Sequence, residues 1–159
     1  MIIASVDPGI TGAIAILSYN EALESVYITD VFDMPTAKLF SKTVVDLEEV
    51  CRILRLYRIS KVVVEQVGAS PRMGTSSAFN FGAAFMGVIG VAAGTGLPVT
   101  TISPTKWKTY QGLLKKPKDA ARLKVIKMFP ERKKFFKFKK DVDKADAVLI
   151  GTTYLETSR

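Results

Sequence analysis

The chain contains no histidine. This excludes Ser-His and Cys-His nucleophile pairs, histidine-ligated zinc and imidazole acid/base catalysis, and leaves carboxylates and lysines to do any chemistry. Cysteine is nearly as scarce: Cys51 stands alone in an apolar stretch beside Ile53 and Leu54. No disulfide framework exists, and we expect Cys51 in the core. The N-terminal residues run straight into a strand-like stretch without the basic, apolar and small-residue zones of a secretory leader. An intracellular, cytoplasmic protein is the expectation.

Charge is missing from Met73 to Thr105. That span holds Asn80, is broken by five glycines from Gly82 to Gly96 and is followed by Pro98, so a buried helix is expected rather than a bilayer span. Acidic residues are scarce from Pro104 to Lys140, where 14 Lys and Arg face 2 acids, while the rest of the chain carries 9 against 13. A one-sided basic block favours a polyanionic partner, because phosphates neutralised by lysine release condensed counterions. Its phosphate-contact candidates are Lys106, Lys108, Lys115, Lys116 and Lys118, with Arg72 in the loop region ahead of the uncharged span.

With 159 residues, a single domain covering 1–159 is expected. Ile2 to Asp7 and Gly12 to Leu17 are apolar runs separated by Pro8-Gly9 and Thr11-Gly12, which reads as a tight hairpin, and alternation over Ser25 to Phe32 adds a third antiparallel strand. Leu39 to Arg58 has Val44, Leu47, Val50, Cys51, Leu54 and Tyr57 at helical spacing, with Thr43 placed to cap it and Asp46 three residues on. The β-branched run Val62-Val63-Val64 suits a strand buried on both faces, and a helix between strands makes a parallel crossover. A loop from Gly68 to Ser77 leads into a helix over Ser77 to Ala93. Leu97 to Ile102 reads as the fifth strand, Pro104 to Gln111 and Asp119 to Met128 as short helices, and Arg132 to Lys140 as a basic, aromatic-interleaved connector. The last helix starts near Asp141 and turns Ala145, Val148, Leu149 and Thr152 to Leu155 inward. The predicted class is α/β: a mixed five-stranded sheet, three strands as an antiparallel meander plus parallel strands, flanked by helices in the order of an RNase H-like domain.

Asp7 ends the first strand and Glu65 the central one, and neighbouring strands would bring both to one sheet edge. Asp143 and Asp146, three apart at the start of a helix, share a face. A turn role for Asp7 and a cap role for Asp143 are the plain alternatives. Glu65 after a buried run and Asp146 among Ala145, Ala147 and Val148 are costly unless used. Four clustered carboxylates suit Mg²⁺, with Mn²⁺ able to substitute, and two ions roughly 3.5–4 Å apart would support in-line phosphodiester cleavage.

Asp7-Pro8-Gly9-Ile10-Thr11-Gly12, Val64-Glu65-Gln66 and Asp143-Lys144-Ala145-Asp146-Ala147 together resemble, in order and spacing, the RuvC-type Holliday-junction resolvases and their phage relatives. The resemblance implies a homodimeric Mg²⁺-dependent endonuclease that makes paired nicks in four-way DNA junctions. It places the metal ligands on Asp7, Glu65, Asp143 and Asp146, and a lysine supporting the scissile phosphate on Lys118, with Lys108 second. The chain departs from the bacterial pattern after Glu65, where Gly68 and Ala69 replace a junction-wedging aromatic. Met73, Phe79 and Phe81 are the nearby substitutes, although both phenylalanines are expected in a helix core.

Other readings stay open on sequence: a broader branched-DNA or flap endonuclease, an RNA-processing RuvC-like nuclease, a non-catalytic nucleic-acid-binding module, and an actin-like phosphate-binding turn at Gly9-Ile10-Thr11-Gly12 for which the chain is short. Trp107, between Lys106 and Lys108, is either a base-stacking platform or packing. Phe135-Phe136 is either part of a DNA grip or a hydrophobic anchor.

Overall fold

The computed structural model describes residues 1–68, 70–71 and 73–158. In chain order the elements are β1 (Ile2–Asp7), β2 (Ala13–Asn20), β3 (Ser25–Asp33), β4 (Thr36–Leu39), β5 (Lys42–Val45), α1 (Leu47–Leu56), β6 (Lys61–Glu65), α2 (Thr75–Gly94), β7 (Val99–Ile102), α3 (Pro104–Tyr110), α4 (Ala120–Met128) and α5 (Val142–Thr157), with 3₁₀ turns over Pro130–Phe136 and Lys139–Asp141. Five strands form one sheet in the order β3-β2-β1-β6-β7. β1, β2 and β3 pair antiparallel, and β6 and β7 continue in parallel beyond β1. This is the predicted RNase H-like mixed sheet.

Alternation along the strands decides which helices cover which side. Ala4 and Val6 of β1, Ile14 and Ile16 of β2, and Val62 and Val64 of β6 face α1 and α2. Ile3, Ala15, Leu17 and Val63 face α5, with Trp107, Val125 and Phe136 completing that core. Asp7 shares parity with Ile3 and Ser5, and Glu65 with Val63, so both carboxylates belong to the α5 face. The β1–β6 register pairs Val6 with Val64, which sets Asp7 and Glu65 level at the same end of adjacent strands.

α5 lies unusually close to the sheet. Ser5 Oγ donates to the Ala147 carbonyl at 2.6 Å, and a Cβ on Gly151 would stand 2.5 Å from both Ser5 Oγ and Leu17 Cδ1. Only glycine permits that approach. The helix is buried almost all round from Ala145 to Leu155, with Tyr154 half-exposed.

Several expectations are corrected. Residues 39–46 are not helical: Thr36–Leu39 and Lys42–Val45 form a two-stranded hairpin, and α1 begins at Leu47 with Asp46, not Thr43, as its cap, accepting from the Glu49 amide at 3.1 Å. The β-branched run Thr43-Val44-Val45 favours a strand, and the helical spacing of Val44 and Leu47 is coincidental. Cys51 is half-buried rather than core. α2 is long and apolar enough to cross a membrane, yet it is not a buried helix: Ala84, Val88 and Ala92 form a single buried stripe. Phe79 is 75% exposed instead of packed, while Phe81 is half-buried beside the Gly9 turn.

Candidate active site

Three elements deliver the carboxylates. The turn after β1 closes with the Gly12 amide donating to the Gly9 carbonyl at 2.9 Å. A Cβ on Gly12 would overlap the Asp7 carbonyl, so glycine there lets the chain reverse tightly behind Asp7. The first turn of α5 is fixed by Lys144, which binds Asp33 at the end of β3 at 3.1 Å and buried Asp141 at 3.2 Å. Asp141 in turn accepts from the Phe138 amide at 2.7 Å. With the helix so pinned, Asp143 and Asp146 face Asp7, and one carboxylate oxygen from each of these three residues lies within 4.8 Å of the others.

Glu65, at the end of β6, stands beside this group and not within its 4.8 Å limit. Its charge is felt at both Asp7 and Asp146, and its Oε1 accepts from Trp107 Nε1 at 2.7 Å. Trp107 is 1% exposed, so it cannot serve as a base-stacking surface; it holds a carboxylate instead. Packing was among the sequence readings of this tryptophan, but nothing in the sequence signals that its N–H holds a carboxylate. Lys108 lies over the outer face of the same indole, its Nζ 5.2 Å from the ring centroid.

The electrostatics are those of an anionic pocket in need of a counter-charge. Burial, then the charges of Glu65, Asp146 and Asp143, push the Asp7 carboxyl up from 3.8 to about 8, against the opposing charge of Lys118. Burial likewise raises Asp146 to about 7, with Lys108 and Lys118 pulling down and Glu65 and Asp143 pushing up. Glu65 is raised by burial and partly restored by the Trp107 hydrogen bond and Lys108. An all-oxygen donor set with this mutual repulsion matches a hard divalent cation and offers nothing to a soft one.

Lys118 Nζ stands 3.4 Å from Asp143 Oδ1 on a side chain that is 76% exposed. It separates two basic clefts. One, of about 310 Å³, is lined by Trp107, Lys108, Lys115, Lys116, Lys118 and Asp146. The other, of about 440 Å³, is lined by Thr11, Lys118, Lys139, Lys140 and Asp143, among others. Lys139 and Lys140, which the sequence places in a connector read as either a DNA grip or an anchor with a solvated rim, flank the site. Lys106 is exposed on α3, outside the residues lining these clefts. Arg72 lies outside the described residues. Phe136 is fully buried and Phe135 packs beside it, ring centroids 6.4 Å apart, so the pair anchors the connector to the core.

No protein-family model and no curated protein matches the sequence. Solved structures do match the fold. The RuvC of Thermus thermophilus, solved in complex with a Holliday junction substrate, superposes with a TM-score of 0.68 at 18% identity, over 97% of this chain and 94% of that one. The fowlpox virus Holliday junction resolvase gives 0.62 at 25% identity over 100% of both chains. The yeast mitochondrial Holliday junction resolvase gives 0.61 at 14% identity over 97% of this chain and 78% of that one. The chain has the RNase H-like fold of the RuvC-type Holliday junction resolvases.

Proposed function

We propose that the protein is a Mg²⁺-dependent, structure-selective DNA endonuclease that resolves four-way junctions by paired phosphodiester nicks. The observation that carries this reading is the convergence of Asp7, Glu65, Asp143 and Asp146 from β1, β6 and α5 between two lysine-lined clefts. A non-catalytic binding module would gain from the lysines but would carry the repulsion of four carboxylates for no return.

Asp7, Glu65, Asp143 and Asp146 would hold the metal, most simply as two Mg²⁺ ions with Mn²⁺ as a substitute. Bound there, the ions would supply Lewis-acid activation of water and charge neutralisation at the phosphate. The protein's own groups do the rest. Asp7, mostly protonated in the free protein near neutral pH, and Asp146, about half protonated there, must release their protons to become ligands. Trp107 keeps Glu65 turned to the site. Lys118 reaches from the cleft wall toward the phosphate and balances the charge left on Asp143. Lys108, Lys115 and Lys116 line the path of the DNA backbone, contacts that position a duplex without reading its sequence.

Paired nicks need two sites, and we assign the second to another copy of the chain. The uncovered side of α2 presents Phe79, Ala83, Met86, Gly90 and Ala93 at helical spacing, uncharged throughout. Such a face suits a two-fold contact. Incubating the protein with four-way, three-way, flap and linear DNA tests the reading. Magnesium-dependent cleavage of the four-way substrate ahead of the others is the expected result; equal cleavage of the three branched substrates would replace it with a general branch nuclease, and equal cleavage of all four with a nuclease that does not select structure.

A further inference from the structure

The hairpin of β4 and β5 is left unused by the chemistry above. Its two-residue turn is Phe40-Ser41, with φ of 47° and 66°. Turns of this hand normally take Asn-Gly or Gly-Gly, because other side chains are strained there. Phe40 is nonetheless 91% exposed at the tip, next to Leu39 at 53%. A large apolar side chain held in a strained turn and turned wholly to solvent has no folding role on this surface, and strain of this kind marks a contact surface.

Placement and charge identify the partner. The base of the hairpin is closed by the Asp46 amide donating to the Pro35 carbonyl at 2.9 Å, and just ahead of it the Met34 amide donates to the carbonyl of Gly12, in the turn behind Asp7, at 2.9 Å. Leu39, Thr43 and Val44 share a pocket with Ile10 of that turn and with Asn80 and Ala83 of α2. The hairpin thus stands at the end of the sheet that bears the carboxylates. From Pro35 to Val45 its charged residues are Lys38 and Lys42, two residues to either side of Phe40, with no acid. Lys38 Nζ donates to Thr43 Oγ1 at 2.7 Å across the strands, which holds it beside the tip.

We infer that the hairpin is a DNA-contacting arm, in which Phe40 stacks on a base exposed at the branch point while Lys38 and Lys42 hold the adjoining phosphates. The inference rests on the reading of the protein as a junction nuclease and adds a contact outside the catalytic clefts. An aromatic tip between two cations fits nucleic acid better than it fits an apolar protein surface, because stacking and phosphate neutralisation are both satisfied by one strand.

The test uses wild-type protein in chelator, so that junctions stay intact, together with Phe40→Ala and Phe40→Trp. Junction and linear-duplex affinities are measured, and 2-aminopurine at the branch point reports base unstacking by its emission. Wild type should raise the emission. Phe40→Ala should lose that rise and bind the junction roughly ten- to a hundred-fold more weakly, with duplex affinity and thermal unfolding unchanged, and Phe40→Trp should restore both signals. An unchanged emission and affinity in Phe40→Ala overturns the arm while leaving the nuclease reading standing. A drop in solution mass caused by Phe40→Ala also overturns it, making the tip a contact between protein copies. A wild type that prefers no branched DNA over duplex overturns the nuclease reading and the arm with it.

Discussion

Replacing Asp7 by Asn should stabilise the metal-free protein while destroying its activity. Asp7 is lifted from 3.8 to about 8, first by burial and then by the charges of Glu65, Asp146 and Asp143. Below about pH 4 the group is protonated in the folded and unfolded chains alike, and the site costs nothing through this route. As pH rises from there, the unfolded chain gives up its proton while the folded chain keeps it, so stability falls until about pH 8 and then levels. At about 1.4 kcal/mol per pH unit of displacement, the penalty is bounded at roughly 6 kcal/mol. Lys118 is already counted in that displacement, and solvent reaching the clefts reduces the realised figure further, which we set at about 2–3 kcal/mol. Asparagine keeps the shape and removes the charge. For a chain of this size the gain corresponds to a Tm rise of roughly 5–10 °C in chelator near pH 8.5, shrinking towards zero near pH 4. Calorimetry over that pH range, with and without Mg²⁺, measures it. Magnesium should raise the Tm of the wild type and leave Asp7→Asn nearly unmoved. Equal or lower stability of Asp7→Asn near pH 8.5 without metal would refute the electrostatic account of the site.

Three further outcomes follow from the same geometry. Asp146→Asn should abolish cleavage while thermal unfolding and junction binding persist; near-wild-type cleavage by the folded variant would remove Asp146 from the mechanism. Trp107→Phe should weaken Mn²⁺ binding by roughly tenfold, from the loss of one charge-assisted hydrogen bond to Glu65, and should add nothing in a Glu65→Gln background; an additive loss would mean that Trp107 acts through packing alone. Changing Lys115, Lys116 and Lys118 together to Ala should weaken binding to every DNA shape and lower the slope of log affinity against log salt by up to about 3, whereas an unchanged slope would show that these lysines only solvate the surface.

How much of this was legible in the sequence varies with the physics behind each feature. The strand order and the meeting of Asp7 with Asp143 and Asp146 were legible, because parity along β1 and β6 and the three-residue spacing on α5 are set by backbone geometry alone. The hairpin over 36–45 was hidden: Val44 and Leu47 fall at helical spacing, and the Phe40-Ser41 turn lacks the glycine or asparagine that announces such a reversal. The exposure of α2 was also hidden, since an uncharged stretch reads the same whether its far side meets the protein's own core or is left uncovered. Of the two readings of Trp107, packing is the one the structure bears out, but its hold on Glu65 was hidden. Its lysine neighbours point to a surface, and only the packing of α3 on the α5 face turns its N–H to Glu65. The anchoring of α5 by Lys144 between Asp33 and Asp141 needed the fold, because the two acids lie far apart in the chain.

The central claim, that two four-carboxylate sites act together on one junction, is tested most directly with a supercoiled plasmid that extrudes a cruciform. Two nicks made in one encounter convert the circle directly to a linear molecule, while independent single nicks accumulate as relaxed circle. The account predicts linear product in the presence of Mg²⁺, with nicks mapping symmetrically to opposing strands at the cruciform base, and none in chelator. Relaxed circle alone, or cleavage that persists in chelator, would contradict it.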